Sequence, residues 1–300
     1  MTDVLDSGEL VRRLRHPHGS WRRVEVHEQI DSTNARALEE PEPWRIVVAA
    51  EQTAGRGRQG RSWSSPPGTS VAMSMVVPLV PRPYDVGWVP LAAGLAVAQA
   101  LGDLTGRPEA FGVKWPNDVL AAPLPTVPAP GSVLPPTPDR KVCGILCQVV
   151  PGGSVVVGIG VNVSAPPESL PAAQAPEASP AGDRPRPPLV LSATSVRDCA
   201  PGPAPSREDV TVAVAQRYAA AHERLMAGGD DLDGLRAEFA RACVTIGRDV
   251  EVYLPRDRRV VGHAQAVDAL GELVVRDADT GASTAYAAGD VFHIRPLFGA

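Results

Sequence analysis

The sequence predicts an α+β fold: a mixed β-sheet backed by helices over residues 1–245, followed by a small all-β unit over residues 246–300. Three observations predict it. Apolar runs of strand length stand at 46–50, 69–77, 141–150 and 154–163. Residues 86–104 instead place Leu91, Leu95, Val97, Leu101 and Leu104 near helical spacing, which predicts a core-facing helix packed on that sheet. From Arg248 the pattern changes to short strands at 250–254, 260–267, 273–276, 284–287 and 291–294, punctuated by Gly262, Gly271 and Gly281.

Composition sets the outer limits. A chain of 300 residues, 44% hydrophobic with net charge -5, has ample length to bury a core, as one large domain or two. It lacks the generally basic balance of a nucleic-acid-binding surface. Cys143, Cys147, Cys199 and Cys243 have neither paired metal spacing nor a secretory framework, and Cys143 and Cys147 fall on one face of a strand as core residues. With no N-terminal signal or long apolar span, a cytoplasmic location without membrane contact is expected.

In chain order, residues 1–23 hold at most one short helix, near 9–15, too little for a helix-turn-helix domain with its own core. Residues 24–28 alternate like a strand. Asp31-Ser32-Thr33-Asn34 then precedes a helical stretch, 35–40. Asp31 or Ser32 serves as an N-cap, while Ser32, Thr33 and Asn34 equally suit a grip on a compact polar ligand group at a strand-to-helix corner.

Strand 46–50 leads into Glu51-Gln52-Thr53-Ala54-Gly55-Arg56-Gly57-Arg58-Gln59-Gly60-Arg61-Ser62-Trp63, with three arginines and three glycines within seven positions. Glycine permits close backbone approach, and arginine offers a fixed fork of donors, so the expected partner is an anion. Gly55, Gly57 and Gly60 spell G-x-G-x-x-G, and 55–62 would spell a P-loop if Arg61 were lysine. Both patterns require a helix to open directly after the glycines, and Ser64-Ser65-Pro66-Pro67-Gly68 opens none. A solvated loop or an RGG-like tract is the plain alternative, against which stands the loop's position between two strands.

Lys114-Trp115-Pro116-Asn117-Asp118 forms a proline-stiffened turn that a backbone preference for Asn-Asp explains, and that equally suits a nucleotide ribose or a magnesium ion carried by ATP. Residues 121–139 and 165–188, rich in proline and alanine, read as surface insertions. Between them, 141–150 and 154–163 read as a hairpin with Lys141 at its mouth. Gly158, Gly160 and Asn162 interrupt the second strand, a mark of a bulge or of close approach by a ligand or backbone. Helices follow at 207–227, capped by Ser206 and ended by Gly228-Gly229, and at 231–243.

The ordered set 31–34, 55–61, Lys114-Trp115-Pro116-Asn117-Asp118, Lys141-Val142-Cys143-Gly144-Ile145-Leu146 and Gly158-Ile159-Gly160-Val161-Asn162 resembles biotin–protein ligases over roughly residues 24–163. The resemblance implies a class II synthetase-like biotin/lipoate ligase catalytic fold followed by an SH3-like barrel. It implies two steps: biotin and ATP give biotinyl-5′-AMP and pyrophosphate, and a lysine of a biotin carboxyl carrier domain then takes the biotinyl group. By resemblance Ser32, Thr33, Asn34, Gln52, Gly55, Arg56, Gly57, Arg58, Lys141, Gly158 and Gly160 hold biotin. Arg56, Arg58, Arg61, Trp63, Asn117, Asp118 and Asn162 hold the nucleotide. Lys141, Arg58 and Asp118 carry the chemistry, with Mg2+ brought by ATP and Asp118 as its candidate ligand. The DNA-binding first domain of repressor-type members is missing, so no DNA partner is expected, and the insertion between Asp118 and Lys141 is long for the family. Two alternatives are a lipoate or octanoate ligase or transferase, and a nucleic-acid-binding module using the Arg/Gly loop.

Overall fold

The structure is a computed structural model, and it describes residues 5–15, 21–82, 85–124, 138–174, 190–254 and 258–293. The helix near 9–15 is α1 (Ser7–Arg15), whose Leu10 and Leu14 are fully buried. Next come β1 (Arg23–Ile30), α2 (Thr33–Glu39), β2 (Arg45–Gln52), β3 (Ser70–Pro78), α3 (Trp88–Thr105), β4 (Phe111–Lys114), β5 (Asp118–Ala121), β6 (Arg140–Val150) and β7 (Ser154–Asn162). These seven strands form one sheet in the order β1-β2-β3-β7-β6-β5-β4. Only β1 and β2 run parallel within it, joined by α2 as the crossover, and the other neighbours are antiparallel; hence the sheet is mixed.

The two-residue period divides this sheet into unlike faces. Met73, Met75, Val155, Val157, Ile159, Val161, Cys143 and Ile145 belong to the main core, which α3, α4 (Arg207–Ala227) and α5 (Gly229–Ala242) cover. Each such side chain, fully buried, is worth about 1.5–3 kcal/mol. Their neighbours in sequence face the other way. There α2 covers only a small cluster, Ala37, Val47, Val76 and Val156. Helix α3 is the one described helix long and apolar enough to cross a membrane, and 78% of it is buried inside the molecule. It ends at Gly106, whose φ of 67° supplies the left-handed turn. Ser206 caps α4 by accepting from Asp209 N, and Gly228 at φ 73° separates it from α5, which starts two residues earlier than the spacing suggests.

The proline-rich segment 165–188 departs from a plain surface loop. Ala165 is fully buried, Pro167–Ser169 forms a 3-10 turn, and the two-residue strands β8 (Ala173–Gln174) and β9 (Val190–Leu191) pair across it. Most of 121–139 lies outside the described residues.

The last strands, β10 (Asp249–Leu254), β11 (Arg258–Val267), β12 (Leu273–Asp277), β13 (Ser283–Tyr286) and β14 (Asp290–His293), match the five expected ones closely. They form an antiparallel sheet in the order β13-β12-β11-β10-β14. Its ends, β13 and β14, do not pair among the described residues, so it is an open sheet where a closed barrel was expected. Indole donors from α3 and the β4–β5 turn fasten it to the larger unit: Trp88 Nε1 donates to Ala269 O at 3.0 Å and Trp115 Nε1 to Gly271 O at 2.9 Å. Both tryptophans are buried, so each donor needs such a partner.

Candidate active site

A cavity of roughly 500 Å³ opens on the face of the large sheet that the long helices leave uncovered. Its floor is built from small residues in register. Gly160 of β7 lies between Ala72 of β3 and Gly144 of β6, and Gly158 lies between Ser74 and Leu146. A Cβ on Gly158 would come within 1.9 Å of Asn34 Oδ1, and one on Gly160 within 2.5 Å of the Trp63 ring. The interior glycines therefore admit side chains that descend onto the sheet.

At one end the first turn of α2 makes a polar recess. Ser32 caps the helix, accepting from Ala35 N at 3.4 Å, so the cap reading of Ser32 holds; it also lines the cavity. Gln52, at the end of β2, accepts from Thr33 N at 2.8 Å and from Thr33 Oγ1 at 3.0 Å. Ser74 Oγ reaches Thr33 Oγ1 at 2.8 Å and Asn34 Oδ1 at 2.6 Å, while Asn34 Nδ2 donates to Gln148 Oε1 at 3.0 Å. Ser32, Thr33 and Asn34 are all buried, in a fixed array of donors and acceptors suited to a compact polar group.

The arginine loop roofs the cavity. Gly57 N donates to Arg61 O at 2.7 Å, Arg61 N to Arg58 O at 3.2 Å and Trp63 N to Gly55 O at 2.9 Å; no α-helix follows the glycines. Arg56, Arg58, Arg61 and Trp63 all line the space. Arg58 Nη1 donates to Asn117 Oδ1 at 3.2 Å, and Asn117 is clamped to the β6 edge, giving Nδ2 to Ile145 O at 3.1 Å and accepting Ile145 N at 2.9 Å. Opposite stands Lys141, with its Nζ 5.7 Å from the centre of a Trp63 ring. Arg58 and Lys141 thus face one shared cavity.

Beneath Lys141 lies a buried charge cluster. Asp118 Oδ1 is 2.7 Å from Lys141 Nζ, and Oδ2 is 3.4 Å from Lys114 Nζ. Burial alone would raise the Asp118 carboxyl, but Lys141 and then Lys114 outweigh it and hold it at about 2. Burial pulls the Lys114 ammonium down, against the attraction of Asp118. The carboxylate does not line the cavity. Of the other sequence-predicted residues, only Gly55 also stands off it; a Cβ there would meet Trp63 O at 2.4 Å, so Gly55 serves the loop's own packing.

Asn162 lines the cavity and donates Nδ2 to Thr194 O at 3.2 Å, leaving Oδ1 without a partner among the described residues. Sequence reasoning missed Gly144 and the 170–172 and Ala193 part of the wall, and also Ser74, which bonds Thr33 and Asn34 from behind. Ser74 had a signal: it is the one hydroxyl between Met73 and Met75 in an otherwise apolar run. Leu170, Pro171, Ala172 and Ala193 had none, since they come from segments that composition marks only as irregular. A second cavity, roughly 670 Å³, meets the first at Arg58, Asn117 and Ile145 and runs between α3 and the small sheet, past Pro90, Cys147 and Glu272.

The class of protein follows: an α+β enzyme fold with a cationic, glycine-floored site on one sheet face and a small antiparallel sheet docked beside it. Biotin protein ligase from Aquifex aeolicus, in complex with biotin and ATP, shares this fold with a TM-score of 0.66 at 22% identity, over 92% of this chain and 100% of that one. The sequence pattern of the biotin/lipoate A/B protein ligase family matches residues 26–164. A biotin--[acetyl-CoA-carboxylase] ligase of Mycobacterium tuberculosis is 33% identical over 299 residues, which is 97% of this chain and 96% of that protein. The bifunctional ligase/repressor BirA of Escherichia coli is 32% identical over 148 residues, covering 47% of this chain and 40% of its own. The chain belongs to the biotin/lipoate A/B protein ligase family.

Proposed function

We infer that the chain is an ATP-dependent biotin–protein ligase. It activates biotin to biotinyl-5′-AMP and then biotinylates a lysine of a biotin carboxyl carrier domain. The observation that carries this is the convergence of Arg58 and Lys141 on one cavity whose far end is the polar recess of Ser32, Thr33, Asn34 and Gln52. A carboxylate and a triphosphate repel one another, and a site that joins them must concentrate positive charge where they meet.

In the first step a carboxylate oxygen of biotin attacks the α-phosphorus and pyrophosphate leaves. The recess holds the ureido ring, Lys141 and Arg58 lie along the carboxylate and α-phosphate, and Arg56, Arg61, Trp63, Asn117 and Asn162 embrace the nucleotide. In the second step the acceptor amine attacks the acyl carbon, AMP leaves, and the nitrogen sheds a proton. The amine, with an ordinary pKa near 10.4, is neutral only when its proton has been taken. Asp118 suits neither metal binding nor that task. Both of its oxygens face lysine ammoniums, and it is ionised far below the pH of the reaction. Its role is to hold Lys141, and Mg2+ is brought by the phosphates. The second cavity gives the acceptor lysine a route to the reacting carbon. Residues 1–245 act as the catalytic unit, and 246–300 as an SH3-like accessory unit.

The test is an assay with ATP, Mg2+, biotin and a purified carrier domain. Transfer of biotin to the carrier, dependent on ATP, is expected. A thermal-shift panel separates the neighbouring activity, since a ligand at 100 times its Kd adds about 2.7 kcal/mol of stability. Stabilisation by lipoate with indifference to biotin would overturn the assignment.

A further inference from the structure

We infer that Asp290, a residue of the small sheet, is a positioning residue for the arginine loop, holding Arg61 at the cavity wall before a nucleotide arrives. This rests on the reading of the cavity as the ATP site.

The loop is a small unit that bonds mainly to itself. Arg56 and Ser62 form an antiparallel bridge, and the 3-10 turn Arg58–Gly60 closes the tip. Arg61 gives Nε to Arg58 O at 3.3 Å within the same unit. Whatever fixes Arg61 therefore fixes the whole tip. Two charged side chains tie that tip to the rest of the protein. One is Arg58, through Asn117; the other is Arg61, whose Nη2 forms an ion pair of 2.9 Å with Asp290 Oδ1. The second crosses between the two sheets.

Asp290 is well placed for this. It opens β14, opposite Tyr253 of β10, and its side chain is only 14% exposed. The same strand walls the buried charge cluster, with the Phe292 ring 6.0 Å from Lys114 Nζ. The Asp290 carboxylate thus pairs with Arg61 and lies near Lys114, while Asp118 pairs with Lys114 and Lys141. A glycine-rich loop loses much backbone freedom when it orders, and its guanidinium groups repel one another. The Asp290 anchor offsets both effects ahead of binding, so less ordering is left for ATP to drive.

The test is Asp290→Asn, which keeps shape and removes charge. For a partly exposed pair the expected change is about fivefold in the KM for ATP during biotin-dependent pyrophosphate exchange. The kcat at saturating ATP should stay within about twofold, since bound ATP itself orders the loop. Asp290→Glu should recover most of the loss. In an Arg61→Gln background, Asp290→Asn should do nothing further. Without any nucleotide, trypsin should cut after Arg56 and Arg58 faster in Asp290→Asn than in the wild type. An unchanged or lowered KM for ATP, additive effects in the double variant, or unchanged cleavage would each remove Asp290 from this role. If the wild type lacks exchange activity altogether, the function has failed instead, while the cleavage comparison still reports on the anchor.

Discussion

The two faces of the seven-stranded sheet are made by the same strands and have opposite characters. Along β7, residues 155, 157 and 161 are all Val, and they pack under helices. Residues 158, 160 and 162, in between, are Gly, Gly and Asn, and they line the cavity. β6 repeats the contrast, with Cys143 in the core and Gly144 on the cavity floor. One face trades volume for cohesion, and the other gives up volume to admit ligand. Charge divides in the same way: Arg58 and Lys141 face the cavity, while the helix-covered face holds a neutral imidazole, His222, against Trp44 and Tyr218. If this division is real, substitutions on the two faces should register in different measurements.

The largest effect is expected on the cavity side. Lys141→Ala removes the cation placed at the carboxylate and α-phosphate, and loss of one such preorganised group costs about 100- to 1000-fold in rate. Biotin-dependent pyrophosphate exchange should fall by that order while the circular dichroism spectrum keeps its native form, because Lys114 still faces Asp118. Arg58→Ala should act in the same direction. Wild-type exchange rates in both variants would take these residues out of the reaction.

On the helix side the corresponding charge effect concerns stability. Burial pushes His222 down to about 4 and His293 down to about 3, from an ordinary 6.5. Between those values and 6.5 the unfolded chain binds more protons than the folded one. Stability is therefore full above about pH 6.5 and is lost as pH falls toward 4 and then 3. For His222 alone the loss is about 2 kcal/mol by pH 5. In His222→Leu, that part of the drop in unfolding free energy between pH 7 and 5 should vanish, leaving the part due to His293, while kinetics at pH 7.5 stay unchanged. An identical pH slope in the variant would mean that the imidazole is not held neutral.

Much of this was legible in the sequence, for identifiable reasons. Strand and helix positions follow from apolar periodicity, and the loop and turn motifs carry enough chemistry to mark Arg58 and Asn117, whereas Lys141, at a strand end, is marked only by the family resemblance. What periodicity cannot give is the pairing order. That order puts β7 between β3 and β6 and so turns Gly144, Gly158 and Gly160 into one floor. The role of Asp118 was equally hidden. As a letter in a turn it reads as a nucleotide or metal ligand; only the approach of two lysines from β4 and β6 makes it an ion-pair partner. Closure of the last sheet into a barrel depends on edge contacts that the five short strands do not specify.

The smallest and most discriminating pair of changes uses two adjacent residues. Gly158→Ala places a methyl where Asn34 Oδ1 now sits, 1.9 Å away. Asn34 is held there by Ser74 and Gln148, so it must break those bonds to move, and the polar recess changes shape. We expect the KM for biotin to rise about tenfold or more, equivalent to roughly 1.4 kcal/mol of lost recognition. Val157→Ala, one residue back and on the opposite face, removes two methyl carbons from the packed core and should cost about 1.5 kcal/mol of stability. Its KM for biotin should not move. A rise in biotin KM for Val157→Ala as large as that for Gly158→Ala would show that the faces are coupled through the strand. The separation of cohesion from recognition along β7 would then have to be abandoned.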